Sequence, residues 1–223
     1  MRSVLSPKAA YALWAPSYPP TAHNPLMRAE QSIVETLLAR VRATRALDVG
    51  TGSGRCRPLL AASGATTIVG VDFSWAMLTR QGSGGVRVCG DACALPFRRG
   101  AFDLINASLM VSDVTDLGAW ASELSRVLAP RGHLVYSDFH PSWTEHGWRR
   151  TFATTDGTAV DVEMVPHSID DHLAAIEAAG LRVLAIREPK LAADDPDPAV
   201  KTFLRRWGRA PVVAVFHAVK DGR

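Results

Sequence analysis

Behind the short apolar run Ala46-Leu47-Asp48-Val49, three glycines alternate in Gly50-Thr51-Gly52-Ser53-Gly54. Such a turn asks for backbone torsions open mainly to glycine, and it lets the main chain approach a ligand with no Cβ in between. In an open parallel sheet, ligands sit beyond the carboxyl ends of the strands, and a strand-to-helix turn is such an end. The rest of the chain keeps the same beat. Apolar runs at 67–72, around Val86 and Val88, at 102–106 and at 133–138 alternate with helical signals. Those signals are the face Ile33, Val34, Leu37, Leu38 and Val41, the cap Ser74 ahead of Met77 and Leu78, and Leu117, Trp120, Leu124 and Val127 before Pro130. The pattern predicts an α/β fold with a doubly wound, mostly parallel sheet and helices on both faces.

After residue 140 the beat changes. Trp148, Phe152 and Thr154 alternate toward Asp156-Gly157, and Val160, Val162 and Met164 alternate away from it, which predicts a β-hairpin. Ser168-Ile169-Asp170-Asp171 reads as a capping box for a helix ending at Gly180. Strands at 181–186 and 211–219 bring the sheet to seven, and 223 residues suit one domain.

Composition narrows the partners. With 47% hydrophobic and 21% charged residues the chain is no disordered segment, and a net charge of +3 makes no electrostatic case for nucleic acid. The basic run Lys201, Arg205, Arg206 and Arg209 reads as a solvated helix face. Cys56, Cys89 and Cys93 form no paired framework, so free thiols in a reducing, cytoplasmic setting are expected. Neither they nor the carboxylates of 194–197 have the companions of a metal site, and no run of about 18 apolar residues predicts a membrane span.

Two carboxylates extend the glycine turn into a pocket. Asp72 closes the second strand, where an acidic side chain can accept both hydroxyls of a ribose. Asp91 follows the third strand in Gly90-Asp91-Ala92, placed to accept from an exocyclic adenine amine. A nicotinamide fingerprint is disfavoured, because Arg55 stands where its third glycine belongs.

On these segments, with Leu95-Pro96-Phe97 and the run LSRVLAPRG over 124–132, the chain resembles the class I S-adenosylmethionine-dependent methyltransferases, in their small-molecule, quinone-biosynthesis-like branch. The resemblance implies a seven-stranded sheet whose last strand is antiparallel. It implies S-adenosylmethionine as cofactor, with S-adenosylhomocysteine as product. By the same resemblance Asp48, Gly50, Gly52 and Gly54 hold the methionine portion, with Thr51 and Asn106 in the same set. Asp72 takes the ribose, Phe73 and Met77 pack on the adenine, and Asp91 with Ala92 meets its edge. Residues 1–27 become a cover bearing Tyr11 and Tyr18, and 141–167 a hairpin insertion over the acceptor site. Ala12 and Pro19 depart from the Tyr-Asp pairs usual in that cover, and Asp113 stands where the family commonly has a His.

The expected reaction is methyl transfer to O, N or C of a small, partly apolar or aromatic acceptor, by a monomer or homodimer. A cyclisation on the same fold, or a tRNA-modifying methyl transfer, are the alternatives. An acceptor that must lose a proton benefits from a base titrating near neutrality. His140, just past the fifth strand, against a plain loop position, His167 after the hairpin, against a structural role ahead of the next helix, and His23 in the cover are the candidates. Trp14, Trp143 and Trp148 lie outside the nucleotide scaffold and either line the acceptor pocket or pin the cover to the core.

Overall fold

A computed structural model describes residues 2–80, 85–145 and 147–222; His146 lies outside them. Seven strands form the main sheet: β2 (Arg45–Val49), β3 (Thr67–Asp72), β4 (Val86–Cys89), β5 (Phe102–Ser108), β6 (Leu128–Phe139), β9 (Leu181–Arg187) and β10 (Val213–Lys220). Their spatial order is β4-β3-β2-β5-β6-β10-β9, with the last strand antiparallel to both of its neighbours and β2 to β6 parallel.

The order follows from what each strand buries. Ala46, Leu47, Leu104, Ile105, Leu134 and Val135 have no exposed surface, so these central strands are covered on both faces. One face packs under α5 (Leu117–Val127) and α7 (Ile169–Ala178) through Trp120, Leu124 and Ile176. The other packs under α2 (Pro25–Leu38), α3 (Arg57–Ala62) and α8 (Pro198–Trp207) through Val34, Leu38, Leu60 and Val200. Trp120 meets Tyr136 edge-on at 5.2 Å, and Tyr136 stacks on Phe216 at 4.6 Å, which anchors α5 to β6 and β10. Short helices α4 (Trp75–Leu78) and α6 (Ser142–Glu145) follow β3 and β6.

Helix starts follow local chemistry. The Asn24 side chain accepts from Met27 N at 2.8 Å with Pro25 next in the chain, and Ser168 with Asp171 closes the expected capping box. Helix α2 begins at Pro25, so the last three residues of the segment expected as a cover, 25–27, are helical.

Two further departures concern β structure. The strand expected at 133–138 is longer: β6 already pairs at Leu128 with Phe102, then shifts register across the Pro130-Arg131-Gly132 stretch, where Arg131 has φ 61°. A second, three-stranded sheet unites the two peripheral segments. It has the order β1 (Ser3–Leu5), β8 (Ala159–Val162), β7 (Thr151–Ala153). The hairpin of β7 and β8 turns at Asp156-Gly157 as expected, with Thr154 N donating to Thr158 O at 2.9 Å. Strand β1 runs parallel to β8 and lies next to α1 (Pro7–Trp14). Its three residues are largely exposed, so no alternation marks them in the sequence. Among the described residues no helix is long and apolar enough to cross a membrane.

Candidate functional site

A cavity of about 310 Å³ opens at the carboxyl edge of β2 and β3, between the main sheet and the cover. Its floor is the glycine turn. Gly50, Gly52 and Gly54 have φ of 65°, 52° and 83°, and a Cβ on Gly50 would lie 2.7 Å from the Met110 side chain. No other residue fits there. The turn is held from below: Thr51 Oγ1 donates to Asp48 Oδ2 at 2.7 Å and Asn106 Nδ2 to Asp48 Oδ1 at 2.8 Å. Burial raises the Asp48 pKa, opposed by these two hydrogen bonds. Asp48 borders the cavity, whereas Asn106 is fully buried and Gly54 lies outside the lining.

Asp72 is held in a similar way. Its Oδ2 accepts from Gly52 N and its Oδ1 from Ser74 N, both at 2.8 Å, so one carboxylate joins the glycine turn to the start of α4. Burial pushes its pKa up to about 6, against the pull of the two backbone N–H groups. Each oxygen keeps a lone pair for a further donor. Phe73 and Met77 line the cavity beside it.

The cover supplies walls and a buried ion pair. Trp14 stacks on Phe152 at 4.8 Å, tying α1 to the hairpin, and meets Tyr18 edge-on at 4.8 Å. Arg150 pairs with Asp113 and donates from Nη1 to the Tyr11 hydroxyl at 3.0 Å. Burial raises the Asp113 pKa while Arg150 opposes it, and burial raises that of Tyr11 well above its ordinary value. On the opposite wall Arg55 donates to Glu30 at 2.9 Å, and Glu30, with no exposed surface, also accepts from Ser137 Oγ at 2.8 Å. Arg55 thus neutralises Glu30 of α2, and Asp113, at the position where the family commonly has a His, neutralises Arg150 of the hairpin. Leu109, with φ 54°, is a strained residue on the rim, fixed by its N–H donating to Ser137 O at 3.1 Å and Oγ at 3.0 Å.

The candidates therefore divide. Tyr11, Trp14, Tyr18, His23, Gly50, Thr51, Gly52 and Trp148 line the cavity with the groups above. Asp91 and Ala92 do not; Asp91 is exposed and its Oδ1 accepts from Cys93 N at 2.8 Å. His140 lies on the expected edge, but its ring turns away. Ser142 N–H donates to Nδ1 at 3.2 Å, so Nε2–H donates to Glu188 Oε1 at 2.8 Å. His167 Nε2–H donates to Val114 O at 2.9 Å, and that ring too lies outside the lining. Trp143 is buried and belongs to the core, its Nε1–H donating to Pro211 O at 2.6 Å and its ring against Phe203 at 4.8 Å. In consequence His140→Gln should leave cofactor affinity and kcat within about twofold of the parent, as for a surface substitution away from the site. A kcat loss of 10² or more, with loss of the acid limb of the pH–rate profile, would return His140 to the role of base.

Residues 47–136 match the family model described as a methyltransferase domain. The chain is similar in fold to an S-adenosylmethionine-dependent methyltransferase from Mesorhizobium loti. The TM-score is 0.69 at 20% identity, covering 86% of this chain and 98% of that one. Residues 47–136 thus carry a methyltransferase domain, on a fold shared with S-adenosylmethionine-dependent methyltransferases. Among curated relatives, a demethylmenaquinone methyltransferase from Mycolicibacterium gilvum is 40% identical over 98 residues, 44% of this chain and 42% of that protein. The match thus spans less than half of that relative's length. The N-methyltransferase NodS from Bradyrhizobium japonicum, solved in complex with S-adenosylhomocysteine, has the same class I fold. Its TM-score is 0.61 at 14% identity, covering 89% of each chain.

Proposed function

We propose that this protein transfers a methyl group from S-adenosylmethionine to an oxygen, nitrogen or carbon atom of a small, partly aromatic acceptor in the cytoplasm. The observation that carries the reading is Asp72: a buried carboxylate at the end of β3, fixed by Gly52 N and Ser74 N, with a lone pair left on each oxygen. That pair of acceptor oxygens fits the hydroxyls of a ribose diol, and the adjacent Phe73 and Met77 fit an adenine face. Gly50, Thr51 and Gly52 bring main chain to the cavity for the amino-acid end, with Asp48 and Asn106 bracing them from below. The bound cofactor would supply an activated methyl group on a sulfonium. Tyr11, Trp14 and Tyr18 would exclude water and orient the acceptor against it. His23 is the histidine of the lining; burial lowers its pKa, so its ring is neutral at pH 7 and able to accept a proton. Three free cysteines suit a reducing compartment.

Calorimetry with S-adenosylhomocysteine tests the cofactor reading directly, and its pH dependence tests Asp72. Ribose hydroxyls favour the carboxylate form, so binding releases the proton that Asp72 holds below a pKa of about 6. Affinity should therefore rise with pH, by about tenfold from pH 5 to pH 7.5, and level off above. A flat profile, or no binding, removes this site from the reading. Asp91→Ala is the companion measurement: a loss of about tenfold would mean that its carboxylate meets the adenine edge, and an unchanged affinity would leave it as the cap of its own turn.

A further inference from the structure

Beside the main cavity lies a second cleft of about 380 Å³ that the cofactor reading does not use. Three guanidinium groups line it, from three separate segments of the chain: Arg2 ahead of β1, Arg149 ahead of β7 and Arg206 near the end of α8. Among the described residues the one ion pair made by any of the three is Arg2 with Asp161, loose at 3.8 Å. Asp161 is in turn engaged by the Thr151 hydroxyl at 2.6 Å. Arg206 stacks on the Trp207 ring at 4.9 Å, which holds its planar face while leaving its N–H edge to a ligand. Arg149 and Arg150 are neighbours in the chain yet serve opposite sides. Arg150 is buried against the main cavity and neutralised by Asp113, whereas Arg149 is exposed in the cleft.

The two spaces share a wall. Trp148 and Thr151 line both. Convergent guanidiniums with a surplus of positive charge select carboxylate or phosphate oxygens, which they bind through paired N–H groups. The main cavity offers its aromatic side chains Trp14, Phe139 and Trp148 one indole away. We propose that the acceptor is an amphiphilic anion: its apolar, reacting end enters the main cavity and its carboxylate or phosphate group is held by Arg2, Arg149 and Arg206 across Trp148. This assignment of the substrate class rests on the methyltransferase reading above.

The test uses the protein saturated with S-adenosylhomocysteine, so cofactor binding is established first and on its own. Calorimetry then compares 2-naphthoate and 2-naphthyl phosphate with uncharged 2-naphthamide. At least one anion should bind about tenfold or more tightly than the amide, and which of the two gains more identifies the head group. The preference should shrink as salt screens the exposed arginines, and it should vanish in Arg149→Gln/Arg206→Gln, whose affinity for S-adenosylhomocysteine stays that of the parent. Equal binding of anions and amide, no binding of any probe, or a preference that survives in the double variant overturns the proposal while leaving the cofactor reading intact. Failure to bind S-adenosylhomocysteine at all would instead strike the reading beneath it.

Discussion

Arg150→Ala should lower folding stability by about 3–5 kcal/mol, the cost of leaving a buried carboxylate without its partner. The side chains of Arg150 and Asp113 are 6% and 5% exposed, so water cannot replace the missing guanidinium. The Tyr11 hydroxyl loses a donor at the same time, which loosens α1 from the hairpin. The loss should depend on pH in a defined sense. Burial already raises the Asp113 pKa, and without Arg150 it rises further. A folded-state pKa above the unfolded value makes the variant more stable at acid pH, with stability lost as pH rises through the folded pKa. Urea midpoints should thus converge with the parent at low pH and diverge near neutrality. Replacing both partners with apolar residues, as in Arg150→Met with Asp113→Leu, should recover much of the loss. A single-variant loss under 1 kcal/mol would show that the pair is exposed in solution.

Asp72→Ala should weaken S-adenosylhomocysteine binding by about tenfold to a hundredfold, the worth of a charged acceptor of about 1.5–3 kcal/mol. It also removes the carboxylate that accepts from the N–H groups of Gly52 and Ser74, so the glycine turn loses its tie to α4. The rise of affinity with pH should disappear in the same variant. An unchanged affinity in a folded variant would exclude Asp72 as the ribose acceptor.

What could be read from the sequence was local. The glycine turn, Asp48 and Asp72 carry their geometry in contiguous residues, and the main sheet follows from apolar runs buried on both faces. Asp156-Gly157 likewise marked the hairpin, because a tight turn leaves few residue choices. What the sequence does not reveal involves partners far apart in the chain. Arg150 and Asp113 are 37 residues apart and Arg55 and Glu30 are 25, with no spacing rule to connect them. His140 was placed on the correct edge, but the direction of its ring is decided by Glu188, 48 residues on. Trp143 and Trp148 looked equivalent as aromatic residues of one insertion. The Pro211 carbonyl takes the first into the core and leaves the second at the cavity.

The three-stranded sheet of β1, β8 and β7 makes the first strand and the distant hairpin a single structural unit. The parallel pairing Ser3 to Val160 and Leu5 to Val162, with the Trp14 ring on Phe152, means that a hairpin transplanted from a relative would arrive without its matching first strand. On the proposed reading, acceptor preference would be exchanged in units of two segments distant in the chain. Recombination or design that moves only one of them would leave an unpaired strand edge in place of a new specificity.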